Sequence, residues 1–278
     1  MTAFSNLTEF AALYPETPGL IPHDLVGHPL LDLDALVALA ARMRPESVEY
    51  NRADLPVGVA PDAAIGNGLS IADTIAGIES NGSWMVLKFI EQDATYRALL
   101  TETLGTLMPI VEPATGAMLK HEGFIFVSSP NAVTPFHFDP EHNILLQLRG
   151  TKTMTVFPAD DEGVAAPHEH ERFHAGGHRN LPWRDDIAAK GDAFELVPGV
   201  GLHVPVKAPH WVQNGPAVSI SLSITWRSVW SYAEADARAF NALLRRRGME
   251  PASPPRFPES ARAKSFAWRA LRKVGLGG

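Results

Sequence analysis

Between Gly123 and Arg227 the chain is a succession of short apolar runs, and that succession limits the folds open to it. The runs are "FIFVSS", "HNILLQL", "KTMTVFP", "FELVP", "GLHVPV" and "VSISLSITW". Turn formers separate most of them: Ser-Pro-Asn, Arg-Gly, Pro-Gly-Val-Gly and Asn-Gly-Pro. Short strands punctuated in this way predict an all-β sandwich or barrel. The sequence on either side has a helical period. In "DLDALVALAARM", Leu33, Leu36, Val37 and Ala40 fall on one helix face, and Tyr96, Leu99, Leu100, Thr103 and Leu107 do so in "DATYRALLTETLGTLM". Pro109 and Pro113 are then expected to break the chain. "SWMVLKFIE", between these helices, reads as a strand. Helical patterning returns over 232–247 and 259–273. The expected organisation is a helical N-terminal flank packing on the core (1–122), a β core (123–230) and basic C-terminal helices (231–278).

Composition narrows the function classes. With 278 residues, 45% of them hydrophobic and 20% charged, the chain has the makings of an ordinary globular core. It has no cysteine, which excludes disulfides, thiolate metal sites and cysteine nucleophiles. The opening "MTAFSNLTEF" lacks the basic region and apolar run of a signal peptide, and no apolar stretch is long enough to span a bilayer. The cytoplasm is the expected compartment. A net charge of −7 argues against a surface built throughout for nucleic acid. The charge is uneven, with ten Lys/Arg against four Asp/Glu from Ser231 to Gly278. That basic tail reads as a solvated helical face, the alternative being a docking surface for an acidic partner.

The strands carry polar residues that strands ordinarily avoid. "TPFHFDPEHNILLQLRGTK" holds two histidines, an aspartate, an asparagine and a lysine. His137 and Asp139 are two apart, so on a strand they project from the same face. His210 in "VPVKAPHWVQN", 73 residues beyond His137, is the candidate third member. Two imidazoles and one carboxylate, leaving other positions open, form the facial triad of non-heme Fe(II) oxygenases. An isolated His-x-Asp pair is weak evidence in a chain with 11 histidines. His142 reads as a turn residue and not as a ligand. Further along, Ile144, Leu146 and Leu148 share one face, and Asn143, Leu145, Gln147 and Arg149 the other. In the last strand Ser219, Ser221, Ser223 and Thr225 alternate with Val218, Ile220, Leu222, Ile224 and Trp226. A hydroxyl-lined face belongs to solvent or to a polar cavity; in a small barrel the cavity is the expected place.

The segment "TPFHFDPEHNILLQLRGTKTMTVFP", together with "APHWVQN" and "VSISLSITW", resembles the JmjC/cupin-like Fe(II) and 2-oxoglutarate-dependent oxygenases, particularly their asparaginyl hydroxylases. The resemblance covers residues 123–227. It implies a double-stranded β-helix, or jelly roll, flanked by helices. It also implies that His137, Asp139 and His210 hold Fe(II). Thr134, three residues before the histidine, and Lys152, fifteen after it in a G-x-K turn, would then hold the distal carboxylate of 2-oxoglutarate. Asn143 matches as well, whereas Ser223 stands where relatives often have asparagine. Phe124, Phe126 and Ser128 are possible lining residues. A lysine deep in a barrel needs an anionic partner, since an unpaired buried charge is costly. The reaction implied is a hydroxylation of a protein side chain or small molecule, with 2-oxoglutarate and O2 giving succinate and CO2.

Two other classes stand beside this reading. A cupin isomerase or ligand-binding protein that works without 2-oxoglutarate has no need of Thr134 and Lys152. A regulatory protein acting through its basic C-terminal helices needs no metal. "PHEHERFHAGGHRNLPWRDD", with His168, His170, His174 and His178, reads as a long polar loop at the mouth or on the surface, because Gly176 and Gly177 argue against a regular helix. The C-terminal helices carry apolar stripes (Tyr232, Ala235, Ala239, Ala242, Leu243; Phe266, Ala267, Ala270, Leu271) that must be covered by the barrel or by a second chain, and a homodimer is the expectation.

Overall fold

The computed structural model describes residues 3–52, 57 and 68–275. Its order is α1 (Thr8–Leu13), β1 (Gly19–Pro22), α2 (Leu33–Ala40), β2 (Val48–Arg52), α3 (Ile71–Ala76), β3 (Ser83–Lys88), α4 (Ala94–Gly105) and α5 (Met108–Thr115). There follow β4 (Leu119–Ser128), β5 (Val133–His137), β6 (His142–Arg149), β7 (Lys152–Val156), α6 (Pro167–His174), β8 (Asp192–Leu196), β9 (Val200–Val204), β10 (His210–Asn214) and β11 (Ser219–Arg227). Two helices close the chain, α7 (Val229–Arg245) and α8 (Arg262–Lys273).

The strands form two antiparallel sheets. One has seven strands in the order β1-β9-β6-β11-β4-β3-β2, and the other four in the order β5-β10-β7-β8. The turn-punctuated runs are the strands of these two sheets, and the architecture is the jelly roll that the family resemblance implied. The two faces of each strand go to different places, as a period of two requires. Ile144 and Leu146 of β6, Ile125 and Val127 of β4, and Ile220, Leu222 and Ile224 of β11 turn outward. There they meet Leu36, Leu39, Tyr96, Leu100 and Leu104 of the N-terminal helices in the largest apolar core. Each such side chain contributes about 1.5–3 kcal/mol on burial, so the helical cover is part of the core. The inward face carries Leu145, Met154, Val156, Leu202 and Val212 in one region and the polar residues in another.

Three features depart from expectation, the first of them in β1 and β2. The first third is not a helical flank alone, since β1, β2 and β3 extend the larger sheet at both of its ends. β3 is the strand expected in "SWMVLKFIE"; β1 and β2, the short outermost strands, carry little sequence signal, because pairing with β9 and β3 decides them. Pro109 and Pro113 do not break the chain; both lie inside α5. Pro109 occupies the first turn, where its missing N–H is not needed. The histidine-rich stretch is a helix, α6: Pro167 opens it, and Gly176, at φ +96°, lies just past its last turn. Among the described residues no helix is long and apolar enough to cross a membrane.

Candidate metal centre and co-substrate pocket

Strand pairing explains how residues 73 apart meet. β5 ends on His137, β10 begins on His210, and the two are direct partners in the antiparallel register. Asp139 follows β5 by two residues and returns to the same side. The Nε2 atom of His210 lies 3.6 Å from Asp139 Oδ2, and that of His137 lies 4.0 Å from Oδ1. Ligating atoms of all three lie within 4.8 Å of one another, and among the described residues no other His/Asp/Glu group of three or more does so.

The backbone fixes which nitrogen is offered. His137 Nδ1 donates to the Pro135 carbonyl at 2.7 Å, and His210 Nδ1 to the Ala208 carbonyl at 2.9 Å. Each imidazole therefore turns an Nε2 lone pair toward Asp139, the arrangement that orients metal-binding histidines. Burial, and for His137 the neighbouring His210 as well, holds both imidazoles below their ordinary range, in the neutral form a metal requires. Burial pushes the Asp139 carboxyl up, but Arg179, His137 and His210 outweigh it and keep it ionised. Arg179 Nη1 donates to Asp139 Oδ1 at 2.6 Å. On the other oxygen, Asn143 Nδ2 donates at 3.3 Å, and Asn143 Oδ1 accepts from Ser223 Oγ at 2.8 Å.

The triad opens on a cavity of about 480 Å³ between the sheets. Thr134, Asn143, Lys152 and Ser223 all line it, as do Phe124, Phe126 and Ser128. Lys152 is buried, and burial alone pulls its ammonium down to about 7. No carboxylate pairs with it among the described residues. A buried cation aimed into a cavity and lacking a partner fits an anionic ligand. Asn143 and Ser223 are engaged with each other and with Asp139, so here they orient the triad.

The other histidines go elsewhere. His142 is no turn residue at the surface: it is fully buried, stacked on Trp226 at 5.3 Å, with Nε2 2.9 Å from Ser228 Oγ. The even-numbered face of β6, which carries it, points away from the cavity. On α6, His170 is buried, His174 is half-buried and His168 is exposed, while His178 lines the mouth. Sequence reasoning missed Arg179. It comes from a segment that pairs along the free edge of β5, where Leu181 N donates to Phe136 O at 2.9 Å, and no spacing rule announces such a pairing. It also missed Glu141, which lines the cavity and whose carboxyl is raised by burial and by Asp139.

The model of the cupin-like domain matches residues 76–264. The Drosophila melanogaster Jumonji C domain-containing protein 5 is 31% identical over 100 residues, which are 34% of this chain and 25% of that protein. The chain thus aligns with about a quarter of that relative's length. The X-ray structure of E. coli ycfD superposes with a TM-score of 0.53 at 14% identity, covering 99% of this chain and 68% of the other. At that identity the likeness is one of fold.

Proposed function

Since this chain belongs to the cupin-like domain family, we propose that it is a cytoplasmic Fe(II)- and 2-oxoglutarate-dependent oxygenase that hydroxylates a protein side chain or a small molecule. The observation that carries the reading is the pairing of two features in one cavity: a neutral His/carboxylate/His triad and, on the wall, the buried, carboxylate-free Lys152. A cupin that needs only a metal gains nothing from such a lysine.

The chain's own residues divide the work. His137 Nε2, His210 Nε2 and an Asp139 oxygen would hold the iron. Arg179 and Asn143 keep the Asp139 carboxylate ionised and oriented. Lys152 supplies a charge-assisted hydrogen bond to the distal carboxylate of the keto acid, and Thr134 a neutral one. Trp84, Phe124 and Phe126 make the opposite wall apolar and exclude water. Bound there, Fe(II) would activate O2, the oxidant, and the keto acid would supply two of the electrons O2 takes up, leaving as succinate and CO2.

The proposal extends to a homodimer through the C-terminal helices. Phe266 on α8 is 77% exposed, more than any other large apolar side chain among the described residues. Anaerobic titration with Fe(II) and 2-oxoglutarate, followed by O2 and succinate measurement across candidate substrates, tests the reaction. Metal-dependent 2-oxoglutarate binding and substrate-stimulated succinate are expected; 2-oxoglutarate affinity unchanged in Lys152→Ala would move the assignment to a cupin without a keto acid.

A further inference from the structure

The connection between β9 and β10 breaks a local rule. It turns tightly, with the Ala208 N–H donating to the Pro205 carbonyl at 3.0 Å, and within the turn Lys207 sits at φ +63°. That region suits Gly or Asn and disfavours other side chains. The lysine is also 1% exposed and lies outside the cavity lining. Its ammonium donates to His174 Nε2 at 2.6 Å, lies 3.5 Å from Glu234 Oε2 and sits over the rings of Phe138 and Phe173. Glu234 in turn accepts from Arg238 Nε at 2.9 Å. Burial pulls Lys207 down to about 7, against the upward pull of Glu234. Backbone strain and ammonium burial thus fall on one residue whose side chain does not line the cavity.

What this residue contacts is the frame of the triad. The Lys207 N–H donates to the Asp139 carbonyl at 2.8 Å. The carbonyl of the next residue, Ala208, fixes the His210 imidazole. At its far end, His174 is the last residue of α6. That helix carries Phe173 into the cavity wall, and the segment after it brings Arg179 to Asp139. We propose that Lys207 is a positioning residue: its side chain locks the Asp139 arm, the His210 arm and the α6 cap into one arrangement, so that the site is preorganised before metal arrives. The inference rests on the metal reading above.

Anaerobic Co(II) titration of the full chain, followed by visible absorption, compares wild type with Lys207→Gly, His174→Leu and His174→Gln. Glycine accepts φ +63° and keeps the N–H, so Lys207→Gly removes the anchoring side chain without disturbing the turn, and Glu234 keeps Arg238 as its partner. Lys207→Gly and His174→Leu are expected to bind Co(II) about tenfold more weakly, with a changed absorption envelope. His174→Gln, whose amide oxygen accepts from the ammonium, is expected to bind as wild type does. Wild-type affinity in Lys207→Gly overturns the inference, as does a His174→Gln variant as weak as His174→Leu. If Lys207→Gly does not fold, the His174 pair decides. A wild-type chain that takes up no Co(II) overturns the metal reading and this inference with it; wild-type uptake with unchanged variants overturns the inference alone.

Discussion

Lys152 is where a single side chain carries most information. Its ammonium is buried with no carboxylate partner among the described residues, and its pKa falls from the ordinary 10.5 to about 7. The native state therefore sheds this proton before the unfolded chain does, and stability climbs with pH between 7 and 10.5. Lys152→Met removes the penalty. Its stability gain is expected to be largest below pH 7 and to fade as pH approaches 10.5. Thermal melts across that range check it, and a gain independent of pH would place the ammonium in water. The same variant is expected to lose roughly ten- to hundredfold in 2-oxoglutarate affinity, the worth of a charge-assisted hydrogen bond, while Co(II) uptake stays unchanged. A bound keto acid should also hold the lysine protonated. Calorimetry at pH 8 in buffers of different ionisation enthalpy is then expected to show proton uptake on 2-oxoglutarate binding.

At the scale of elements, short connections decide what the strands deliver. The β6–β7 turn places Lys152 at the start of β7, and Gly150 within it has φ +67°. A Cβ there would lie 2.3 Å from the Val218 carbonyl oxygen. Gly150→Ala is expected to cost more than about 1 kcal/mol from the backbone conformation alone, and the clash adds to it. Chemical denaturation measures this cost; a variant as stable as wild type would mean that the turn relaxes freely. The strand faces themselves were legible in the sequence. The alternation of Ser219, Ser221, Ser223 and Thr225 with Val218, Ile220, Leu222 and Ile224 sent hydroxyls inward and aliphatics outward, as a period of two demands. α6 was not legible, because its two glycines lie beyond its end and its buried face is made of His170 and Glu171. A helix buried through ion pairs has no apolar stripe to betray it; here Glu171 takes Arg245 from α7.

At the scale of the molecule, the C-terminal helices are less free than their sequence implied. Ala233, Ala237, Ala239 and Ala242 of α7 are buried within the chain. Arg245 is held by Glu171, and Lys264 donates to the Ala252 carbonyl and to Asn241. The apolar demand left over centres on Phe266. If this surface forms the proposed homodimer, Phe266→Glu is expected to give a monomer by light scattering at micromolar concentration with the melting temperature unchanged. A variant that still dimerises would place the contact elsewhere. The sequence by itself determined an all-β sandwich or barrel, the inward polar face and His137, Asp139 and His210 as candidates, because strand period and turn chemistry are local properties; the jelly roll and the roles of Thr134 and Lys152 came from the family resemblance of the motif they stand in. Only the tertiary structure decided that His137 and His210 stand opposite each other in register, that β1, β2 and β3 complete the sheet, and that Arg179 and Lys207 close on Asp139. These are contacts between segments far apart in the chain. Their partners are fixed by packing and by the burial of charge, and no local spacing encodes either.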